Sequence, residues 1–94
     1  MEKCVRIFAF IEKAAGDPRL TAMHVSLYAA LLHLHSGGTV QDPVRVEKET
    51  IMQVAKISSR QTYSKCVQEL HDYGYIKYVA SYNHFLSSLV YFVD

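Results

Sequence analysis

VEKETIMQVAKISSRQTYSKCVQELHDYGY, residues 46–75, reads as a short helix, a tight turn and a longer helix ending at a glycine. Ile51, Val54, Ala55 and Ile57 are apolar around the first helix and the turn. Tyr63, Cys66, Val67 and Leu70 then recur at three-and-four spacing, the pattern of one buried helical face. Ser58 or Ser59 can cap the amides left without partners where the second helix begins. Gly74 can end it, because a left-handed turn there meets no side-chain clash. With the apolar set removed, the second helix presents Arg60, Gln61, Ser64, Lys65 and Gln68, and no carboxylate until Glu69. Flexible polar donors on one outward face suit the groove of a nucleic acid.

Ninety-four residues allow one small domain with a single modest core. Half of them are hydrophobic and 20% are charged, so the chain has enough apolar surface to fold. The formal net charge of +1 argues against a generic polybasic binder. Its distribution is more telling. From Thr50 to Gln68 the only ionised side chains are Lys56, Arg60 and Lys65, while the acids gather in Glu2 to Asp17, Asp42 to Glu49 and Glu69 to Asp72. Such a patch is compatible with DNA, and also with an ordinary solvated surface.

Upstream, residues 3–15 suit an amphipathic helix with Cys4, Ile7, Phe8, Ile11 and Ala15 on one side and Glu2, Arg6 and Lys13 on the other. Val5 and Phe10 fall on its flanks, either against the body of the domain or, for Phe10, in a dimer contact. Gly16, Asp17 and Pro18 break that helix. The next is expected from Thr21, a good cap, to His35, ahead of Ser36-Gly37-Gly38. It is apolar on most sides and belongs at the centre of the fold. Residues 36–43 read as a loop, and Val44, Arg45 and Val46 alternate like a very short strand. Downstream, Tyr75 to Ala80 and Leu86 to Val93 have the β-branched and aromatic bias of strands, joined by a turn at Ser81, Tyr82, Asn83 and His84.

This order resembles a winged helix-turn-helix domain, and the resemblance is carried by AKISSRQTYSKCVQELHDYGYI: a small residue, a turn, Ser-Arg-x-Thr, then an apolar-spaced helix closing in Leu-x-x-x-Gly-x-Ile. It implies a mainly helical α+β fold, a three-helix core with a two-stranded wing and an extra N-terminal helix. The single domain would comprise an N-terminal helix (1–16), a central helix (21–35), a helix-turn-helix (47–73) and a hairpin (75–93). The opening DPRLTAMHVSLYAALL is similar to helix-turn-helix proteins of bacterial mobile elements, in particular conjugative transposons of gut Bacteroidetes. It is also similar to replication-initiation modules of the DnaD and phage type. The function implied is a DNA-binding accessory or regulatory protein of such an element, acting in transcription, replication or excision.

Carried over by position, Ser59, Arg60, Gln61, Ser64, Lys65 and Gln68 form the set facing double-stranded DNA. Lys56 and Lys77 flank it, and Tyr82, Asn83 and His84 form the wing tip. Many such motifs have glycine where this chain has Lys56, so either the turn avoids a positive φ or Lys56 adopts one at a cost of about 1 kcal/mol. The alternative is a winged helix that docks a protein, such as a replication or transfer protein, without binding DNA.

Enzymatic readings find no support. The five histidines include no His-x-x-x-His pair, Cys4 and Cys66 form no Cys-x-x-Cys pair, and no glycine-rich phosphate loop occurs, so neither metal nor cofactor is expected. Tyr28, Tyr63, Tyr73, Tyr75, Tyr78 and Tyr91 are expected to pack core and sheet. The cysteines read as two reduced, buried thiols of a cytoplasmic protein. No apolar run approaches the roughly 20 residues of a membrane span. A homodimer through the N-terminal helix or the Leu89 to Val93 strand is a further expectation.

Overall fold

A computed structural model describes residues 2–35, 42–80 and 88–93. It is an α+β structure, mainly helical, with four helices and a three-stranded antiparallel sheet among the described residues. In chain order these are α1 (Glu2–Ala15), α2 (Ala22–Leu34), β1 (Val44–Val46), α3 (Lys48–Ala55), α4 (Arg60–Asp72), β2 (Ile76–Val79) and β3 (Ser88–Phe92).

The turn between α3 and α4 and the end of α4 are fixed by local chemistry. Lys56, just past α3, is left-handed (φ 63°, ψ 36°). Its N–H donates to the Gln53 carbonyl, and the Ile57 N–H donates to that of Met52. This is a Schellman closure, with the buried Ile57 and Met52 in the positions of its usual apolar contact. Of the two possibilities for Lys56, the positive φ is the one adopted. Ser59 caps α4 by accepting the Thr62 N–H at 3.2 Å. Gly74 (φ 86°) ends it by the same closure, with the Tyr75 N–H on the Leu70 carbonyl and the Gly74 N–H on that of His71.

α2 is the central support. It packs against α1, α3 and α4, and Leu27 and Leu31 are wholly buried. Thr21 stands at its N-cap, and the α2–α3 contact is held further by the Ser26 hydroxyl donating to the Ala55 carbonyl. The Ser36-Gly37-Gly38 stop lies outside the described residues.

β1 alternates as expected, with Val44 and Val46 buried and Arg45 exposed. The two strands after α4 pair as Ile76↔Phe92 through Val79↔Leu89. β1 adds to the far edge of β3 (Val44↔Val90, Val46↔Ser88), giving the order β1-β3-β2. β3 is therefore the middle strand, flanked by β1 along Ser88–Val90 and by β2 along Leu89–Phe92.

α1 corrects the sequence reading most. The face against the body is Ile7, Phe10 and Ala14. Phe10 is 3% exposed, its ring stacked on Tyr28 (centroids 3.8 Å apart, planes 3° apart) and edge-on to Tyr75 at 5.3 Å. It is a core residue, so the dimer contact through Phe10 is overturned. Phe8 and Ile11, expected inside, are 68% and 43% exposed, and Cys4 is exposed too. The reason is compositional: Cys4 to Ile11 is apolar at every position except Arg6. Helical periodicity cannot select one side of such a helix. The inward side is set instead by the aromatic partners Tyr28 and Tyr75. The two cysteines accordingly differ, Cys66 being buried and Cys4 exposed, and both are free thiols.

Candidate nucleic-acid interface

α4 turns Tyr63, Cys66, Val67 and Leu70 into the core, and this fixes what its other side can offer. Arg60, Gln61, Ser64, Lys65 and Gln68 are all exposed on that outer side, with Ser59 exposed at its start and Lys56 exposed in the turn before it. Seven of the residues singled out by the sequence thus lie on one continuous segment. Lys77 is apart from them on β2, its ammonium 6.0 Å above the Tyr91 ring of the neighbouring strand. Tyr82, Asn83 and His84 lie outside the described residues.

The electrostatics of this face are less open than its exposure suggests. The Arg60 guanidinium donates to Glu49 Oε1 on α3 at 2.8 Å, with both side chains about 70% exposed. Gln68 donates to Asp72 Oδ1 at 2.9 Å, one helical turn on. The Ser59 oxygen accepts from Thr62 while its own proton remains available. Gln61, Ser64 and Lys65 have no side-chain hydrogen bond or ion pair among the described residues. Glu49 is the residue that sequence reasoning missed. It sits in an acidic stretch assigned to another part of the surface, and only the angle between α3 and α4 brings it to Arg60. Lys48, also missed, stands 5.9 Å over the Tyr63 ring and adds a cation to the α3 side.

Behind the face, a second cluster ties α2 to α4. His24, Cys66 and Glu69 bring their donor atoms within 4.8 Å of one another. Residues 42 and 45 positions apart could not be matched by spacing; Cys66 and Glu69, three apart on one helix, were the only local hint. The hydrogen bonding shows how the cluster is used. The Thr21 N–H donates to His24 Nδ1 at 2.9 Å, so that nitrogen carries the lone pair. Nε2 then carries the proton and donates it to Glu69 Oε1 at 3.1 Å. A metal at Nε2 would need that proton moved onto a nitrogen already facing an N–H. The geometry therefore fits a hydrogen-bonded tie between helices better than a metal centre. The Cys66 thiol is pushed up by burial, with the Glu69 carboxylate adding to the effect.

Tyr73 continues the tie, donating to Glu69 Oε2, and Arg19 lies over its ring at 4.1 Å. Arg19 in turn pairs with Asp17, which accepts from the Tyr75 hydroxyl at 2.8 Å. The hydrogen bonds from Arg19 and then from Tyr75 hold the Asp17 carboxyl well below the usual carboxylate range. The far end of α4 is thereby anchored to the α1–α2 connection.

Compared with known protein families, with curated proteins and with solved structures, the chain matches none. Among the described residues no helix is long and apolar enough to cross a membrane.

Proposed function

We propose that the chain is a winged helix-turn-helix reader of double-stranded DNA, with α4 as the helix that enters the major groove. The observation that carries this is the outer side of α4: five consecutive-turn polar donors, exposed, on a helix capped at both ends and anchored from behind. The element order from α2 onward and the sheet order β1-β3-β2 favour the same class. Arg60 or Gln61, in the first turn, would reach base edges, arginine forking to guanine or glutamine pairing with adenine. Ser59, Ser64 and Lys65, with Lys56 beside them, would hold phosphates and fix register. Arg60 must first leave Glu49, which costs little because exposed ion pairs contribute about 0–1 kcal/mol. The resemblance of the sequence to mobile-element proteins supports a cytoplasmic accessory or regulatory role in transcription, replication or excision.

A fluorescence anisotropy titration with element-end duplexes across salt tests this. Three or four phosphate contacts imply a log–log slope of about −3 to −4. Absence of binding at moderate salt, or a curve unchanged by Arg60→Ala with Lys65→Ala, would refute it. The Arg60–Glu49 pair and the near-neutral charge favour a second reading, a module that docks a replication or transfer protein. That reading expects a partner captured equally well by the doubly substituted chain.

A further inference from the structure

The first two turns of α4 carry no carboxylate of their own, and the acid paired with them comes from another helix. Arg60, Gln61, Ser64 and Lys65 are exposed there, and Glu49, in the first turn of α3, accepts from the Arg60 guanidinium at 2.8 Å. Farther along α4 the acids are otherwise engaged: Asp72 accepts from Gln68, and Glu69 from His24 and Tyr73. No cation of α3 competes for Glu49. Met52 and Gln53 stand three and four residues on, where a helical partner would have to be, and Lys48 lies over the Tyr63 ring. Glu49 therefore neutralises the one arginine between residues 46 and 75, while Lys56 and Lys65 have no ion pair among the described residues.

We propose that Glu49 is a specificity-determining residue of the α4 surface: it withholds Arg60 from DNA phosphates and so reserves it for a guanine edge. This rests on the reading of α4 as the helix that enters the major groove. When Arg60 swings away from Glu49, the carboxylate stays behind on α3. Breaking the pair costs the same whatever Arg60 takes next, so discrimination arises from what the bare carboxylate then meets. A phosphate held by Arg60 beside α3 carries the same sign of charge as Glu49. Two like charges about 4 Å apart in water repel by the equivalent of a roughly five-fold loss of affinity. A guanine edge presents N7 and O6 as uncharged acceptors and meets no such repulsion. Phosphate contacts supply essentially all the affinity for unrelated sequence, and base contacts supply the preference. Glu49 thus weakens binding to unrelated duplex while leaving the guanine contact in place. Lys65, with no acid paired to it, keeps the phosphate role, so the two cations of α4 are sorted by what faces them.

Anisotropy titrations of the full chain with two labelled duplexes test this: a pool of randomised sequence, and the sequence that the parent chain enriches from that pool. Glu49 and Arg60 are both largely exposed, so their substitution should leave the fold intact. Glu49→Gln should bind the pool about five-fold more tightly at low salt, with a log–log slope steeper by about 0.9, because Arg60 now adds a phosphate contact. Its affinity for the enriched sequence should change less, so the preference for that sequence narrows. Combining Glu49→Gln with Arg60→Gln should abolish the gain. Glu12→Gln, which removes an exposed charge from α1 instead, should leave slope and preference as in the parent chain. A parent chain that binds the pool, with Glu49→Gln matching it in slope and preference, overturns the inference alone. So does a gain that survives Arg60→Gln or is equalled by Glu12→Gln. If neither the parent nor Glu49→Gln binds the pool at low salt, the DNA reading itself falls and takes the inference with it.

Discussion

Replacing Phe10 and Phe8 separately by alanine should give opposite results, although the two residues are neighbours on one helix with the same side chain. Phe10 is 3% exposed and its ring is shared between Tyr28 and Tyr75. Truncating a buried phenylalanine costs about 3–5 kcal/mol, through lost burial and the cavity left behind. The stacked and edge-on partners, each worth about 0.5–1.5 kcal/mol, place this site in the upper half of that range. Small domains are stable by about 5–15 kcal/mol, so the substitution removes a large fraction of the total. With a urea slope of about 1–1.5 kcal/mol per molar, the midpoint should fall by roughly 3–5 M. At about 4–8 °C per kcal/mol the melting temperature should fall by well over 10 °C. Phe8→Ala removes a ring that is 68% exposed and inserts the best helix former, so its effect should lie within about 0.5 kcal/mol. Urea titrations followed by circular dichroism suffice, run dilute enough that association does not add to stability. A Phe10→Ala cost below about 1 kcal/mol, or a Phe8→Ala cost equal to it, would mean that α1 faces the body with its other side.

Three further substitutions test individual features. Tyr63 is buried with its hydroxyl unpartnered among the described residues, so Tyr63→Phe should stabilise the fold by about 1 kcal/mol; a loss in chemical denaturation would reveal a hydrogen bond that the geometry lacks. Lys56→Gly should relieve about 1–2 kcal/mol of left-handed strain against the greater unfolded-chain freedom of glycine, a net gain of about 0.5–1 kcal/mol. If Lys56 also holds a phosphate, the same variant should bind DNA less tightly, with the salt slope shallower by about 0.9. Asp17 has its carboxyl lowered in the fold by Arg19 and Tyr75, so its contribution is present above the unfolded value of about 3.9 and is lost as pH falls below it. Asp17→Asn should therefore destabilise at neutral pH, and its deficit relative to the parent chain should shrink as denaturation is repeated from pH 5 toward pH 3. A deficit constant across that range would refute the assignment.

Short windows of the chain carried a good deal of this structure. The inward set of α4, its Ser59 cap and its Gly74 stop follow from three-and-four spacing and from two residues with strong local preferences. The central place of α2 follows from its lack of polar surface. The polar composition of the outer side of α4 was equally legible, because the choice of inward residues leaves the others outside. What the chain could not disclose locally is every feature that joins distant segments. Strand β1 depends on residues 88–90, more than forty positions away, and a three-residue strand has no pattern of its own to announce that partner. The Thr21–His24–Glu69 tie and the Glu49–Arg60 pair join side chains whose approach is set by how helices cross. The face of α1 was misread for a related reason. A helix apolar nearly all round satisfies its periodicity in several orientations, and the orientation adopted is the one that stacks Phe10 on Tyr28. Local hydrogen bonding and backbone strain are properties of a few consecutive residues and can be read there; choosing among several apolar sides requires knowing what stands opposite, and only the packed molecule supplies that.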